Sequence, residues 1–210
     1  MTLYTKDDFQ SLFNVSRETF EKIETYDALL QKWNKAINLV SPKTLNESWH
    51  RHFIDSAQIV KVINPNAKIY ADLGCGGGFP GLVIAMMRPE LDVHLVESDE
   101  RKGQFMRNVS RETSLQNVRI HTHRIEDMPE KCTPHVLSAR ALASLEGLLD
   151  YTYPWAQANP ALEMLFMKGI KAEEEIAAAR QKYDFTLDRT PSITDDNASI
   201  LMLRDVRLKT

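Results

Sequence analysis

The chain has 210 residues, 43% of them hydrophobic and 26% charged, and a formal net charge of −3 at pH 7. That length fits one ordinary domain plus a small extension around a sizeable core, and no apolar run approaches the ~20 residues that cross a bilayer. The small negative sum speaks against sequence-independent coating of nucleic acid but leaves room for a local basic face.

The opening segment MTLYTKDDFQ is polar and acidic, unlike a secretory signal, so a cytoplasmic location is expected. Acid is concentrated in the first thirty residues, where Asp7, Asp8, Glu18, Glu21, Glu24 and Asp27 face only Lys6, Arg17 and Lys22. Two distant cysteines, Cys75 and Cys132, lie outside any C-x-x-C or Cys/His cluster. Reduced thiols are expected from them, with no disulfide framework and no metal.

From Ser16, an N-cap with Thr19 three residues on, apolar residues recur at Phe20, Ile23, Leu29, Leu30, Trp33 and Ile37, which predicts a helix. Ser41-Pro42 is expected to end it. A second helical pattern runs from Thr44 to Ile63 through Leu45, Trp49, Phe53, Ala57 and Val60. Asn64-Pro65-Asn66 then breaks the chain and predicts two parts, a helical extension over 1–65 and a larger domain over 66–210.

Beyond the break, short apolar runs alternate with helical ones. Strands are predicted at Ile69–Leu73, Val93–Val96, Val118–His121, Val136–Ser138 and Leu162–Met167, with helices at Leu82–Met87, Arg101–Thr113, Leu145–Tyr153 and Ala172–Lys182. Such alternation implies an α/β fold with a parallel sheet covered by helices on both faces. Phe185–Leu187 and Ile200–Leu203 suit a closing hairpin that adds one antiparallel strand.

Five of the eight glycines fall between Gly74 and Gly81, in ADLGCGGGFPG, directly after the first predicted strand. Open α/β sheets bind ligands at such turns, where glycine lets a ligand approach the backbone. A Walker loop is excluded, since no G-K-[ST] follows. Gly76 to Gly81 does satisfy G-x-G-x-x-G, and Glu97 ends the second strand where a ribose-binding acid belongs, so a dinucleotide stays in contention. S-adenosylmethionine competes, because Asp72 immediately before the glycines would attract a sulfonium and repel a diphosphate. Asp72 and Glu97 together favour the methyl donor, whereas either alone could simply cap a turn or a helix.

A methyl acceptor can be narrowed by composition. The place after the fourth strand reads Ser138-Ala139-Arg140-Ala141, without the Pro-Pro-aromatic of adenine-amine methylases. Neither cysteine sits in a Pro-Cys context suited to cytosine-C5 chemistry. Guanine N7 needs no base to remove a proton, and arginine is the natural donor to the edge that carries it.

At these residues the chain resembles the glucose-inhibited-division protein B (RsmG) family of bacterial guanine-N7 methyltransferases. The resemblance is carried by Lys32-Trp33-Asn34-Lys35 with Asn38-Leu39, Arg51-His52 with Asp55-Ser56, Asp72 to Gly81, Glu97-Ser98 with Arg101-Lys102, Arg124-Ile125-Glu126, Ser138 to Ala141, and Lys168-Gly169. It implies a Rossmann-like, seven-stranded class I methyltransferase fold with a helical N-terminal extension. It further implies S-adenosylmethionine as cofactor, S-adenosylhomocysteine as product, and a guanine in the 530 loop of 16S rRNA in the small ribosomal subunit as acceptor.

By that resemblance, Gly74 and Phe79 line the donor site, Glu97 holds the ribose, Ile125-Glu126 meets the adenine, and Arg140 stands between donor and base. The loop glycines Gly76 and Gly78 join the donor-binding set, and Ser138 is expected to assist Arg140. Arg51, His52, Arg101, Lys102, Arg124 and Lys168 read as a basic rim for rRNA phosphates, although solvated surface charge is the plainer alternative. Arg51 and Asp55 are also spaced for a helical ion pair. Trp33 and Trp49 suit core packing or base stacking, and the last forty residues are expected to carry no site. Monomeric behaviour is expected. The rival functions are an NAD-dependent oxidoreductase and a non-catalytic ribosome-assembly factor that retains the donor pocket.

Overall fold

The computed structural model describes residues 3–128 and 131–209. An acidic first helix, α1 (Lys6–Phe13), buries only Phe9, which explains why its sequence carries no apolar stripe. Helix α2 (Arg17–Trp33) starts where expected, with the Ser16 hydroxyl accepting from the Thr19 amide, and buries Ile23, Tyr26 and Leu30 at helical spacing. It ends at Trp33 rather than at Ser41-Pro42. Asn34 then turns the chain, its Oδ1 accepting from the amides of Leu39 and Val40.

Ser41-Pro42 opens the next element instead, as N-cap and first residue of α3 (Pro42–Leu45). The helix predicted over 44–63 is broken into several pieces. A π-helical turn spans Trp49–Ile54, followed by α4 (Asp55–Ala57) and a 3₁₀ turn over Gln58–Lys61. Apolar spacing near four does not distinguish these windings.

The alternating half follows as β1 (Ile69–Leu73), α5 (Gly81–Met87), β2 (Asp92–Val96), α6 (Glu100–Glu112), β3 (Val118–His121), β4 (Val136–Arg140), α7 (Leu145–Ala158), β5 (Glu163–Lys168), α8 (Ala172–Lys182), β6 (Tyr183–Pro191) and β7 (Ser199–Leu208). Seven strands form one sheet in the order β3-β2-β1-β4-β5-β7-β6. The first five are mutually parallel, and β7 enters antiparallel between β5 and β6.

Two cores lie on the two faces of this sheet. One packs α7 and α8 through residues such as Leu148, Trp155 and Ile176. The other joins Phe9, Ile23, Tyr26, Leu30 and Phe53 of the first 65 residues to Leu82, Leu95 and Phe105 of the alternating half. The extension is therefore part of the sheet's own packing. Trp33 packs on Phe105 with ring centroids 5.7 Å apart, and Trp49 lies among Phe9, Phe20 and Phe53. Met86 and Met164 are core residues.

Candidate functional site

Strand order reverses at β1, whose neighbours are β2 on one side and β4 on the other. The connections leaving β1 and β4 therefore diverge and open a crevice at the carboxyl ends of the strands. A cavity of about 850 Å³ fills that crevice. Its walls are the glycine turn after β1, the ends of β2 and β4, the turn after β3, the segment around Arg51–Gln58, and the β6–β7 loop.

The glycine turn is tied down from several sides. The amides of Gly74 and Cys75 donate to the Val96 carbonyl (2.8 and 3.3 Å), and the Tyr26 hydroxyl donates to the Gly77 carbonyl (2.5 Å). Gly76 has φ +57° and sends its amide to Glu97 Oε2 at 3.0 Å. Gly81 is needed for space, since a Cβ there would lie 2.2 Å from Leu95 Cδ2 and 2.9 Å from Asp72 Oδ2. Phe79 stacks on Tyr26 and sits under Arg140, whose guanidinium carbon is 5.3 Å from the ring centre.

Glu97 closes the end of β2 and is 8% exposed. Its two oxygens accept from Gly76 N and Asp99 N, both at 3.0 Å, which leaves further lone pairs for a guest. Lys102 lies 4.0 Å from the same carboxylate. Gly74, Gly76, Phe79, Glu97, Lys102, Arg124, Ile125, Glu126 and Arg140 share the cavity wall, together with Arg51 and His52.

Several expected site residues stand elsewhere. Asp72 is fully buried behind the turn, where Oδ2 accepts from Gly81 N (2.7 Å) and Oδ1 from the Ser138 hydroxyl (2.7 Å). Ser138 in turn accepts from the buried Tyr70 hydroxyl at 2.6 Å. Asp72 thus shapes the turn rather than touching a guest, and Ser138 supports Asp72 rather than the acceptor. Burial pushes the Asp72 carboxyl up to about 7 despite both hydrogen bonds. Gly78 faces Leu82 and the Tyr26 hydroxyl, away from the cavity.

The basic rim is thinner than the sequence suggests. Arg101 projects into solvent beside Asp99, its side chain 73% exposed, and does not line the cavity. Lys168 lines the cavity but is buried and satisfied internally, donating to the Ala143 carbonyl (2.6 Å) and pairing with Glu175 (2.7 Å). His52 is no cation, because burial, then Arg140, then Arg51 hold its imidazole down to about 3. Its Nδ1 accepts from Arg140 Nη2 (3.3 Å), which leaves Nε2–H to donate to Thr44 Oγ1 (2.9 Å).

Arg140 ends β4, and Ala141 after it holds φ +53°, a strained value for a residue with a Cβ. The Arg140 Nη1 group donates to the Arg51 carbonyl (3.0 Å) and to Asp55 Oδ2 (3.1 Å). With the bond to His52, three of the five guanidinium protons are engaged, and Nε–H and one Nη2 proton have no protein acceptor among the described residues. Arg51 itself faces Asp195 at 3.8 Å, so the predicted Arg51–Asp55 pair is replaced by Arg140–Asp55.

Sequence reasoning missed the cavity contributions of Thr44, Gln58, Leu142, Ser192, Thr194 and Asp195. The last three bring the C-terminal forty residues, where no site was expected, to the cavity wall. Their stretch, Pro191 to Asn197, reads as an ordinary polar turn and offers no local signal. Asp55 did stand in a motif, but spacing pointed to the wrong arginine.

The family described as GidB, rRNA small subunit methyltransferase G, matches residues 19–199. The ribosomal RNA small subunit methyltransferase G of Parvibaculum lavamentivorans is 45% identical over 202 residues, covering 94% of this chain and 88% of the relative. The protein of the same description from Rhodospirillum centenum is 42% identical, over 95% of this chain and 90% of its own. Among solved structures, the mitomycin 7-O-methyltransferase MmcR aligns at TM-score 0.61 and 12% identity, covering 98% of this chain and 73% of that one. TrmK of M. capricolum, solved with S-adenosyl-homocysteine, aligns at TM-score 0.53 and 11% identity, over 71% of this chain and 67% of its own. At such identities the likeness is one of fold, that of the class I methyltransferases.

Proposed function

Because the chain belongs to the rRNA small subunit methyltransferase G family, we propose that it transfers a methyl group from S-adenosylmethionine to N7 of a guanine in the 530 loop of 16S rRNA. One observation carries this reading. A single cavity joins the turn anchored on Glu97 to the clamped guanidinium of Arg140. Its volume falls within the ~300–1,000 Å³ common for sites of small ligands. The donor fits the residues present, since a carboxylate with free lone pairs ends β2 and the facing turn presents glycine backbone.

Glu97 is suited to the ribose hydroxyls, Ile125 and Glu126 to the adenine, and Gly74 to Gly76 to close approach along the backbone. When bound, S-adenosylmethionine supplies an electrophilic methyl group. Guanine N7 carries an available lone pair, so the protein needs to orient the base rather than deprotonate it. Arg140 does so by donating from its unassigned N–H groups to O6. A donor placed on N7 itself would occupy the lone pair that must attack. Arg51, Lys102 and Arg124 supply positive charge along the wall for the phosphates of the flanking rRNA.

The test is incorporation of labelled methyl into small subunits and into naked rRNA, with mapping of the modified nucleotide in rRNA from a deletion strain. N7-methylguanine in the 530 loop, lost on deletion, is the expected result. A methyl group at another atom or loop would overturn the assignment, and calorimetric binding of NAD without S-adenosylmethionine would overturn the donor. Action in the cytoplasm as a monomer belongs to the same reading, and sedimentation of the free protein checks the second point.

A further inference from the structure

Resting on that reading, we propose that Asp55 is a positioning residue for Arg140, and that the β6–β7 loop acts on the acceptor side of the site through it. The two carboxylate oxygens divide their work. Oδ2 accepts from Arg140 Nη1 at 3.1 Å, while Oδ1 accepts from Thr194 Oγ1 at 2.7 Å and from Gln58 Nε2 at 3.0 Å. Gln58 completes the dock, donating to Ser192 Oγ (3.1 Å) and accepting from Ile193 N (2.9 Å). Residues 134 to 139 positions apart in the chain thereby meet on one carboxylate and its neighbour.

The Arg140 and Asp55 side chains are only 18% and 17% exposed, so the pair is shielded and its geometry is well defined. Aim matters here because Arg140 must give its remaining protons to one acceptor atom and spare the adjacent lone pair. With Asp55 removed, the Arg51 carbonyl and His52 still hold the guanidinium, but it is free to rotate about those two contacts. Asp55 thus sets the angle of the cation, and the Thr194 hydroxyl holds Asp55 in the rotamer that does so.

Two pairs of substitutions test this. In Asp55→Asn, which leaves one acceptor oxygen for three donors, kcat should fall by about 10²-fold, the cost of a small misplacement in a reacting pair, while the variant still unfolds cooperatively and its calorimetric affinity for S-adenosylmethionine stays near the parent value. Thr194→Ser, which retains the hydroxyl, should be parent-like, whereas Thr194→Val should lose turnover in the same sense as Asp55→Asn. A readout that does not depend on the acceptor is the ¹⁵N signal of the Arg140 guanidinium, whose slowed rotation in the parent should be lost in Asp55→Asn. Unchanged Arg140 signals and parent turnover in Asp55→Asn would overturn the inference, as would equal behaviour of Thr194→Ser and Thr194→Val. If the parent methylates no guanine, the proposed function fails instead, and the guanidinium signal still decides the role of Asp55.

Discussion

Asp72 and His52 are buried groups that titrate in opposite senses. The Asp72 carboxyl, ordinarily near 3.8, is raised to about 7, so the stability it contributes is present below 3.8 and is lost as pH rises through 7. The His52 imidazole, ordinarily near 6.5, is lowered to about 3, so its contribution is present above 6.5 and is lost as pH falls toward 3. The two oppose each other between these limits. In Asp72→Asn the amide can still accept from Gly81 and donate to Ser138. That variant should fold and show stability that only declines on acidification, measured by denaturant unfolding at several pH values. Arg140→Ala should lower turnover by ~10²-fold or more while weakening donor binding far less, as measured in single-turnover assays beside calorimetry. The residues of both predictions were visible in the sequence, Asp72 before the glycines and Arg140 after the fourth strand. Their surroundings were not. Nothing in ADLG tells a carboxylate on a cavity wall from one buried behind it, and nothing in Arg51-His52 tells a cation from a neutral imidazole pressed against arginine.

Among the elements, the turn between β1 and α5 tolerates least. A methyl group on Gly81 meets Leu95 and Asp72 at once, so Gly81→Ala should cost roughly 1–3 kcal/mol and loosen donor binding together with stability. Ser16→Ala removes only a helix cap remote from the cavity. It should cost ~1 kcal/mol of stability by thermal unfolding and leave activity unchanged. Strands were legible because β-branched and aliphatic runs between polar turns have few other uses, and β1 and β3 fall on their predicted residues. Helices were less so. The helix predicted over Leu145–Tyr153 runs on through Pro154 to Ala158, with Thr152 and Trp155 buried on either side of the proline. The π-helical turn at Trp49–Ile54 has no local sequence signature, and it is the element that carries the Arg51 carbonyl and His52 to Arg140 and leads into Asp55.

For the whole molecule, helical elements precede Asn64-Pro65-Asn66 and alternating strands and helices follow it. The sheet face beyond it nevertheless depends on the first 65 residues for its cover. Residues 66–210 alone would expose Leu82, Leu95 and Phe105, which now pack in the same core as Tyr26, Leu30 and Phe53. That fragment should show no cooperative thermal transition by near-ultraviolet circular dichroism, whereas the full chain should unfold in one. A linear sequence gives little warning of such mutual dependence, because each helix reads as amphipathic without naming its partner. The same holds for the β6–β7 loop, whose place beside Arg140 follows from β7 pairing with β5 and from no feature of its own composition.

The bond from the Tyr26 hydroxyl to the Gly77 carbonyl ties a helix made early to a turn made 51 residues later, which bears on folding during synthesis. Synthesis runs from the N-terminus, so the apolar side of α2 emerges well before the strands and helices that cover it. Its Tyr26 can meet Phe53 and Phe79 first, but its cover is completed only when the Phe105 region follows, and β4, which fills the place beside β1, comes later still. A nascent chain halted near residue 100 should therefore be a preferred client of chaperones that grip apolar helices. Release should coincide with the emergence of the Phe105 region.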